Sequence, residues 1–480
     1  MRILALVPPG TNSRSQFSEL LRGAQLAGHE VLFEDVTQFV AAHISLSKAS
    51  AGKPDERTLR HQSSYARAVE HTFRARRCDV LAGLWNDPLH ILPWVRIRET
   101  GQMRSFLQML GIPMIHWWLD APFWASQGRS VGMFDRSVMT WPGHIHVVNN
   151  EGTAAEMRRI LNFSSVIAQP YGVDEATFRP WPVPRKMYDL AINTGPGDAP
   201  PTARMLAEVE RPNPDIAGIR AEQAWTARSA VLEALRASDE GKGPPGEALA
   251  DALLAEQMRD PDRPMLEKFD AARVAAGSPD SLIAALTQSP RSAPLWAALT
   301  AGLRQIDSWQ RAFTAAWLSR RFKCVTIGNG QAAAARQGWD IRGDSLGDVG
   351  YHELSLYYST SHAALNVMRY QDDVGLNPKV LEIAASGCVP LQRWRAGIDQ
   401  LFTEGREILT FRTPDEAAEK LASLLADPPR AQAISRAAVE RVRSSHTWQT
   451  RAAQLFSAVE SILREHRLPA APASAPDPTA

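Results

Sequence analysis

The chain has 480 residues with 53 basic against 52 acidic side chains, a balance that excludes a global electrostatic attraction to nucleic acid or an anionic membrane. Its length implies two domains, and an apolar fraction of 44% is ample for two cores. Three cysteines, Cys78, Cys324 and Cys388, are far apart and odd in number, which argues against a disulfide framework or a zinc cluster and fits a reducing compartment.

The chain opens MRILALVPPG. Ile3 to Val7 reads as a buried strand closed by a Pro-Pro-Gly turn, and the run is too short for a signal-peptide core or a membrane span. A cytoplasmic location is the expectation. Phe17, Leu20, Leu21, Ala24 and Leu26 recur at helical spacing, and EVLFED (Glu30 to Asp35) is a second strand. An amphipathic helix follows near Thr58 to Arg76, then the strand DVLAGLW (Asp79 to Trp85), then a helix near Ile97 to Leu110. PMIHWWLD, HIHVVNN and VIAQPYG complete a series of strands separated by crossovers, the signature of a parallel, doubly wound α/β sheet.

Residues 1–173 form this first Rossmann-like domain, and the proline-rich stretch 174–186 reads as a stiff linker. A second Rossmann-like domain over 187–466 opens at DLAINTG and is interrupted at 200–308 by a helical insertion without strand signals. The insertion is a candidate docking surface for a protein partner. The pattern then resumes with KCVTIGNG, a helix around HELSLYYSTS, AALNVM, the helix PKVLEIAASG, EILTFRT and PDEAAEKLASLLAD, before a long helical C-terminal region. Residues 467–480 are Pro/Ala-rich and read as a disordered tail.

The chemistry concentrates in NPKVLEIAASG. Pro378 opens the helix and Gly387 ends it. Its residues are nearly all apolar except Lys379 and Glu382, and an acid on such a helix is costly to bury without a partner. A carboxylate accepts from two adjacent hydroxyls, as on a ribose, while Lys379 and the free amides at the helix start suit a diphosphate. An intrahelical Lys379–Glu382 ion pair is the plain alternative.

Gly328 and Gly330 in IGNG follow a strand, where glycine lets backbone amides approach a phosphate or sugar, or simply makes a turn. Gly195 and Gly197 in TGPG read the same way. Arg369 ends AALNVMR, placed for a phosphate contact or for solvent. Gly10 closes the first strand-to-loop turn. In the first domain His116 and Asp120 flank Trp117 and Trp118 at a strand end. Either polar group could act as base toward an acceptor hydroxyl, and the alternative is a core aromatic pair with a capping aspartate. His144 and His146 share a strand face without further ligands. H-E-x-x-H, C-x-x-C pairs, a P-loop, a G-x-S-x-G elbow and a first-strand G-x-G-x-x-G are missing, and the last absence disfavours an NAD enzyme.

The segment NVMRYQDDVGLNPKVLEIAASGCVPLQ, followed by LFTEGRE, the helix over ADPPR and HTWQTR, resembles the C-terminal half of group 1 glycosyltransferases, and within them the CgeB-like branch. QPYGVDEATFRP resembles the interdomain P-x-G-V-D-x-x-x-F-x-P of GT-B enzymes. The resemblance spans about Tyr351 to Leu463 and, less closely, Pro170 to Gly195. It implies a GT-B fold, a nucleotide-sugar donor, no bound metal or other cofactor, and transfer to an acceptor such as a protein, glycan or lipid head group. It implies that Glu382 holds the donor ribose and that Lys379 and Asn377 sit by the diphosphate. It also implies that the helix after His446 returns to the first domain. Many group 1 enzymes carry a second acid eight residues before the first. Here that position is Val374, with Asp372 and Asp373 out of register, which keeps open a second reading as an inactive nucleotide-sugar-binding scaffold.

Overall fold

The computed structural model describes residues 1–7, 12–49, 56–84, 94–97, 100–123, 136–193, 195, 199–289, 292–370 and 373–468. The chain separates into two compact units, one of residues 1–170 together with 448 onward, the other of residues 171–447.

The first unit holds strands β1 (Arg2–Val7), β2 (Glu30–Asp35), β3 (Val80–Leu84), β4 (Trp94–Arg96), β5 (Met103–Ser105), β6 (Met114–Trp117), β7 (His144–Val148) and β8 (Val166–Ala168). Six of them form a parallel sheet in the order β2-β1-β3-β6-β7-β8. RILALV is nearly continuous in apolar residues because helices cover both sheet faces, and Ile3 to Val7 are all buried. The β1 entrance is fixed by polar partners: Arg2 Nε bonds Glu30 at 2.7 Å and the Arg2 amide bonds Asp79 at 2.6 Å.

The helix expected over Ile97 to Leu110 is instead a hairpin and one short helix. β4 and β5 pair antiparallel, and the intervening Gly101 has φ of +69°, which a continuing helix does not allow. Ser105 then caps the helix Phe106–Leu110, which Gly111 ends at φ +66°.

The helix after His446 does return to the first unit, where Trp448–Glu465 packs along Asn12–Leu26, so the second unit ends at Thr447 and not at residue 466. Gly23 permits the approach, since a Cβ there would collide with the Trp448 carbonyl. The Trp448 indole donates to buried Glu19 at 2.9 Å.

The second unit holds β9 (Tyr188–Ile192), β10 (Cys324–Thr326), β11 (Asp344–Ser345), β12 (Ser361–Asn366), β13 (Val389–Arg393) and β14 (Leu409–Phe411). They form a parallel sheet in the order β11-β10-β9-β12-β13-β14. Between β9 and β10 the described residues form helices and no strand, from Ala203–Val209 to Ser292–Gln305. Ile216–Arg236 packs against Ser292–Gln305 and Pro244–Arg259, with Leu235, Leu249, Trp296 and Leu303 fully buried. The proline-rich stretch is not a free connection. Arg179 and Trp181 lie along the helix Leu354–Ser359, bonded to Ser355 and Ser359. Among the described residues no helix is long and apolar enough to cross a membrane.

Candidate functional site

The chain leaves β9 toward β10 and β11, then returns to β12 on the other side of β9. The strand order therefore reverses between β9 and β12. In open parallel sheets a ligand binds outside the strand C-termini at such a point. The helix Pro378–Ala385 starts beside it. Pro378 supplies the first turn with a preset φ, and Asn377 at the cap has extended backbone without a side-chain bond to the helix amides.

Asn377 is engaged sideways instead. It exchanges bonds with Asn366 at 2.9 and 3.3 Å, and Asn366 donates to Gln392 at 2.7 Å. This chain of amides ties the ends of β12 and β13 to the start of the helix. The helix amides thus remain without a side-chain cap, at the positive end of its dipole.

Lys379 and Glu382 do not pair with each other. Lys379 Nζ donates to the Asn193 carbonyl at the end of β9. Glu382 is only 4% exposed and its Oε1 accepts from the Tyr351 hydroxyl at 2.9 Å. Its Oε2 has no protein partner among the described residues. Burial raises the Glu382 carboxyl to about 7, although Tyr351 and Lys379 both favour the ionised form. Burial also lowers the Lys379 ammonium to about 7, reinforced by Arg311 and Arg369 and opposed by Glu382.

The neighbouring predicted residues gather at the same edge. Gly328 follows β10 with φ of +79° and open space where a Cβ would stand. Gly330 begins the helix Gly330–Arg336. Arg369 is exposed just beyond β12, and its guanidinium has no bond among the described residues. Gly195 is described beyond β9, while Thr194, Gly197, Gly10 and Asp372 lie outside the described residues.

Sequence spacing did not reveal Tyr351, Asn193, Asn366, Gln392 or Arg311. Each comes from a different element, and Tyr351 stands 31 residues before the acid it binds. Polar residues at strand C-termini were the available signal for Asn193, Asn366 and Gln392.

Asp373 is enclosed. Its carboxylate meets Arg304 at 2.9 Å and Lys268 at 3.6 Å, both from inserted helices. Burial alone would raise its pKa, but Arg304 and Lys268 outweigh it and hold the carboxyl below the usual range. Lys268 also donates to Gln257 at 2.7 Å, Gln257 to Asp307 at 2.9 Å, and Arg220 to Asp307 at 2.7 Å. Arg393 at the end of β13 reaches Asp262 at 2.9 Å. The insertion is thus anchored by buried charge to the loops of the site. Val374 forms an isolated bridge with Ala396, which places backbone pairing where many group 1 enzymes carry an acid.

In the first unit, His116 is fully buried in β6. Its Nε2 is 3.0 Å from His144 Nδ1, and His144 Nε2 is 2.9 Å from Ser105 Oγ. His116 also stacks on His146 at 5.2 Å, and Trp118 donates to His146 at 3.2 Å. Burial lowers both His144 and His146 to about 3, so they are neutral core groups. The expectation of His116 as a base in contact with an acceptor is corrected here: it reaches no solvent. Trp117 and Trp118 are core residues too. Asp120 is half-buried just beyond the strand. Among the described residues no group of three His, Cys, Asp or Glu side chains is arranged to hold a metal.

Residues 304–457 match the model of a family described as glycosyl transferase-like. The match runs from Arg304 across the helix Pro378–Ala385 and into the last helix. Among solved structures, the sucrose-phosphate synthase of Thermosynechococcus elongatus is similar, at 10% identity over 97% of this chain and 100% of that one, with a TM-score of 0.51. A glycosyltransferase from Rickettsia africae covers 96% of this chain and 98% of its own, at 10% identity and a TM-score of 0.47. Anabaena HepE in complex with UDP and glucose covers 96% and 100%, at 8% identity and a TM-score of 0.46. The search of curated proteins returned no match. Two parallel six-stranded sheets in two units give the chain the GT-B type of fold, and residues 304–457 within it carry the likeness to the glycosyl transferase-like family. The matched region includes the helix Pro378–Ala385 that carries Glu382.

Proposed function

We propose that this protein transfers a glycosyl group, a hexosyl in the simplest case, from a nucleotide-sugar donor to an acceptor hydroxyl. One observation carries the reading: Glu382 is nearly enclosed on an apolar helix at the strand-order reversal, with one oxygen held by Tyr351 and the other without a partner among the described residues. Desolvating an acid this way is costly, and two vicinal hydroxyls of a ribose are donors of the right number and spacing to offset it.

In this reading Asn377, Lys379 and Arg369 surround the diphosphate, together with the helix amides. The Gly328 turn and Gly330 let the neighbouring loop approach it. These groups would stabilise the charge that develops on the leaving diphosphate. Asp120 is the proposed base toward the acceptor hydroxyl. The CgeB-like resemblance favours a protein or surface-glycan acceptor and a bacterial, cytoplasmic enzyme.

Incubation with UDP-, GDP- and ADP-sugars, with nucleoside diphosphate release as the readout, tests this. One donor should be consumed, and Glu382→Ala should slow consumption more than tenfold. A protein that neither binds nor consumes any donor overturns the reading.

A second reading is favoured by the state of Asp373 and Val374. The only described acid near the position of the missing one is locked between Arg304 and Lys268. A nucleotide-sugar-binding scaffold would then bind a donor with no turnover under any acceptor.

A further inference from the structure

We propose that Tyr351 is a positioning residue of the donor site, holding one oxygen of Glu382 so that the other is presented to the hydroxyl pair of the donor's ribose. This rests on the nucleotide-sugar reading of the site.

The Tyr351 hydroxyl donates to Glu382 Oε1 at 2.9 Å, and Oε2 has no protein partner among the described residues. A carboxylate bonded at one oxygen loses rotation about its last torsion, so the second oxygen is fixed before a ligand arrives. A phenol suits the task. It gives one hydrogen bond without neutralising the charge that the ribose hydroxyls need.

Tyr351 is itself held. Its ring packs edge-on against Phe178 at 5.2 Å and 77°, and Phe178 is 1% exposed in the proline-rich stretch. The turn Tyr351–Glu353 is closed by the Gly350 amide donating to Glu353 at 2.7 Å. Behind it, Ser355 Oγ accepts from the Arg179 amide at 3.0 Å and donates to the Arg179 carbonyl at 2.6 Å. The stretch at Phe178 and Arg179 thus braces Tyr351, and Tyr351 braces Glu382. The charged or titratable groups facing Glu382 are Tyr351, Tyr358 and Lys379, with Arg311 and Arg369 acting on Lys379 beyond it.

The test compares UDP with 2′-deoxy-UDP, and GDP and ADP with their 2′-deoxy forms, on the full-length wild type, Tyr351→Phe and Glu382→Ala. Calorimetry across pH 5 to 9 supplies affinities, and thermal melting checks folding. Tyr351→Phe keeps the ring on Phe178 and removes only the hydroxyl. The expected result is that the preference for ribose over deoxyribose, about tenfold in the wild type, falls toward unity in Tyr351→Phe. The acidic limb of the binding profile should also rise by about one pH unit, since a bond favouring the carboxylate is lost. If Glu382→Ala weakens binding but Tyr351→Phe leaves both ratio and limb unchanged, the positioning role is overturned and the ribose reading stands. If no nucleoside diphosphate binds the wild type, both are overturned.

Discussion

The Arg304 guanidinium meets the Asp373 carboxylate at 2.9 Å with both side chains at most 3% exposed. It joins the last inserted helix to the loop that leads into Pro378–Ala385. The insertion is therefore built into the second unit through buried charge.

Arg304→Met should destabilise the second unit by about 3 kcal/mol, because a buried carboxylate loses its closest counter-charge and keeps Lys268 at 3.6 Å and the weaker pull of Arg395. Asp373→Leu should cost more, since it leaves two cations enclosed together. Urea unfolding of the full chain, followed by tryptophan fluorescence, measures both. The Asp373 pKa is depressed on folding, so its contribution is present above the ordinary aspartate range and is lost as pH falls below it.

If Glu382 holds the ribose and Lys379 the diphosphate, as proposed, binding of the nucleoside diphosphate should follow a bell with its maximum near pH 7. The ribose needs Glu382 ionised, which favours pH above its raised value of about 7. The diphosphate needs Lys379 protonated, which favours pH below its lowered value of about 7. Lys379→Arg, which stays charged, should flatten the alkaline limb. Glu382→Gln should remove the acidic limb and weaken binding. Calorimetry across pH 5 to 9 resolves the two.

Gly328→Ala and Gly387→Ala separate backbone strain from crowding. Both positions have positive φ, +79° and +71°. At Gly328 nothing lies within 4 Å of an added Cβ, so the cost is the left-handed backbone, about 1 kcal/mol. At Gly387 the Cβ would also meet Pro180 at 3.1 Å. Gly387→Ala should therefore destabilise more in denaturant unfolding.

The histidine cluster should make the first unit sensitive to acid. His144 and His146 are held near 3 in the fold, below the ordinary imidazole value. The stability linked to keeping them neutral is complete above about pH 6.5 and is lost as pH falls toward 3, because the unfolded chain takes up protons first. Replacing His146 by Leu should make unfolding less steep over that range, as read by denaturation at pH 4, 5, 6 and 7.

Much of the fold was legible because its strands are short apolar runs between helical stretches. RILALV and HIHVV read directly as buried strands, and the strand-poor region after β9 read as helical. The stretch from Ile97 to Leu110 did not, because a hairpin turning at Gly101 and a five-residue helix can mimic one helical period. Glu382 was legible as an acid on an apolar helix. Tyr351 was not, since its contact is made by folding and not by spacing. His116 misled: a histidine at a strand end suggests chemistry, while its bonds to His144 and its full burial make it part of the core. The enclosure of Asp373 was equally hidden, because its partners Lys268 and Arg304 come from the insertion.

The most direct test of the central claim is calorimetric titration of UDP-, GDP- and ADP-sugars into the wild type and Glu382→Ala. The account predicts that at least one donor binds the wild type and that the substitution weakens it at least tenfold, about 1.4 kcal/mol. Equal binding to both proteins, or binding of no donor, would contradict it.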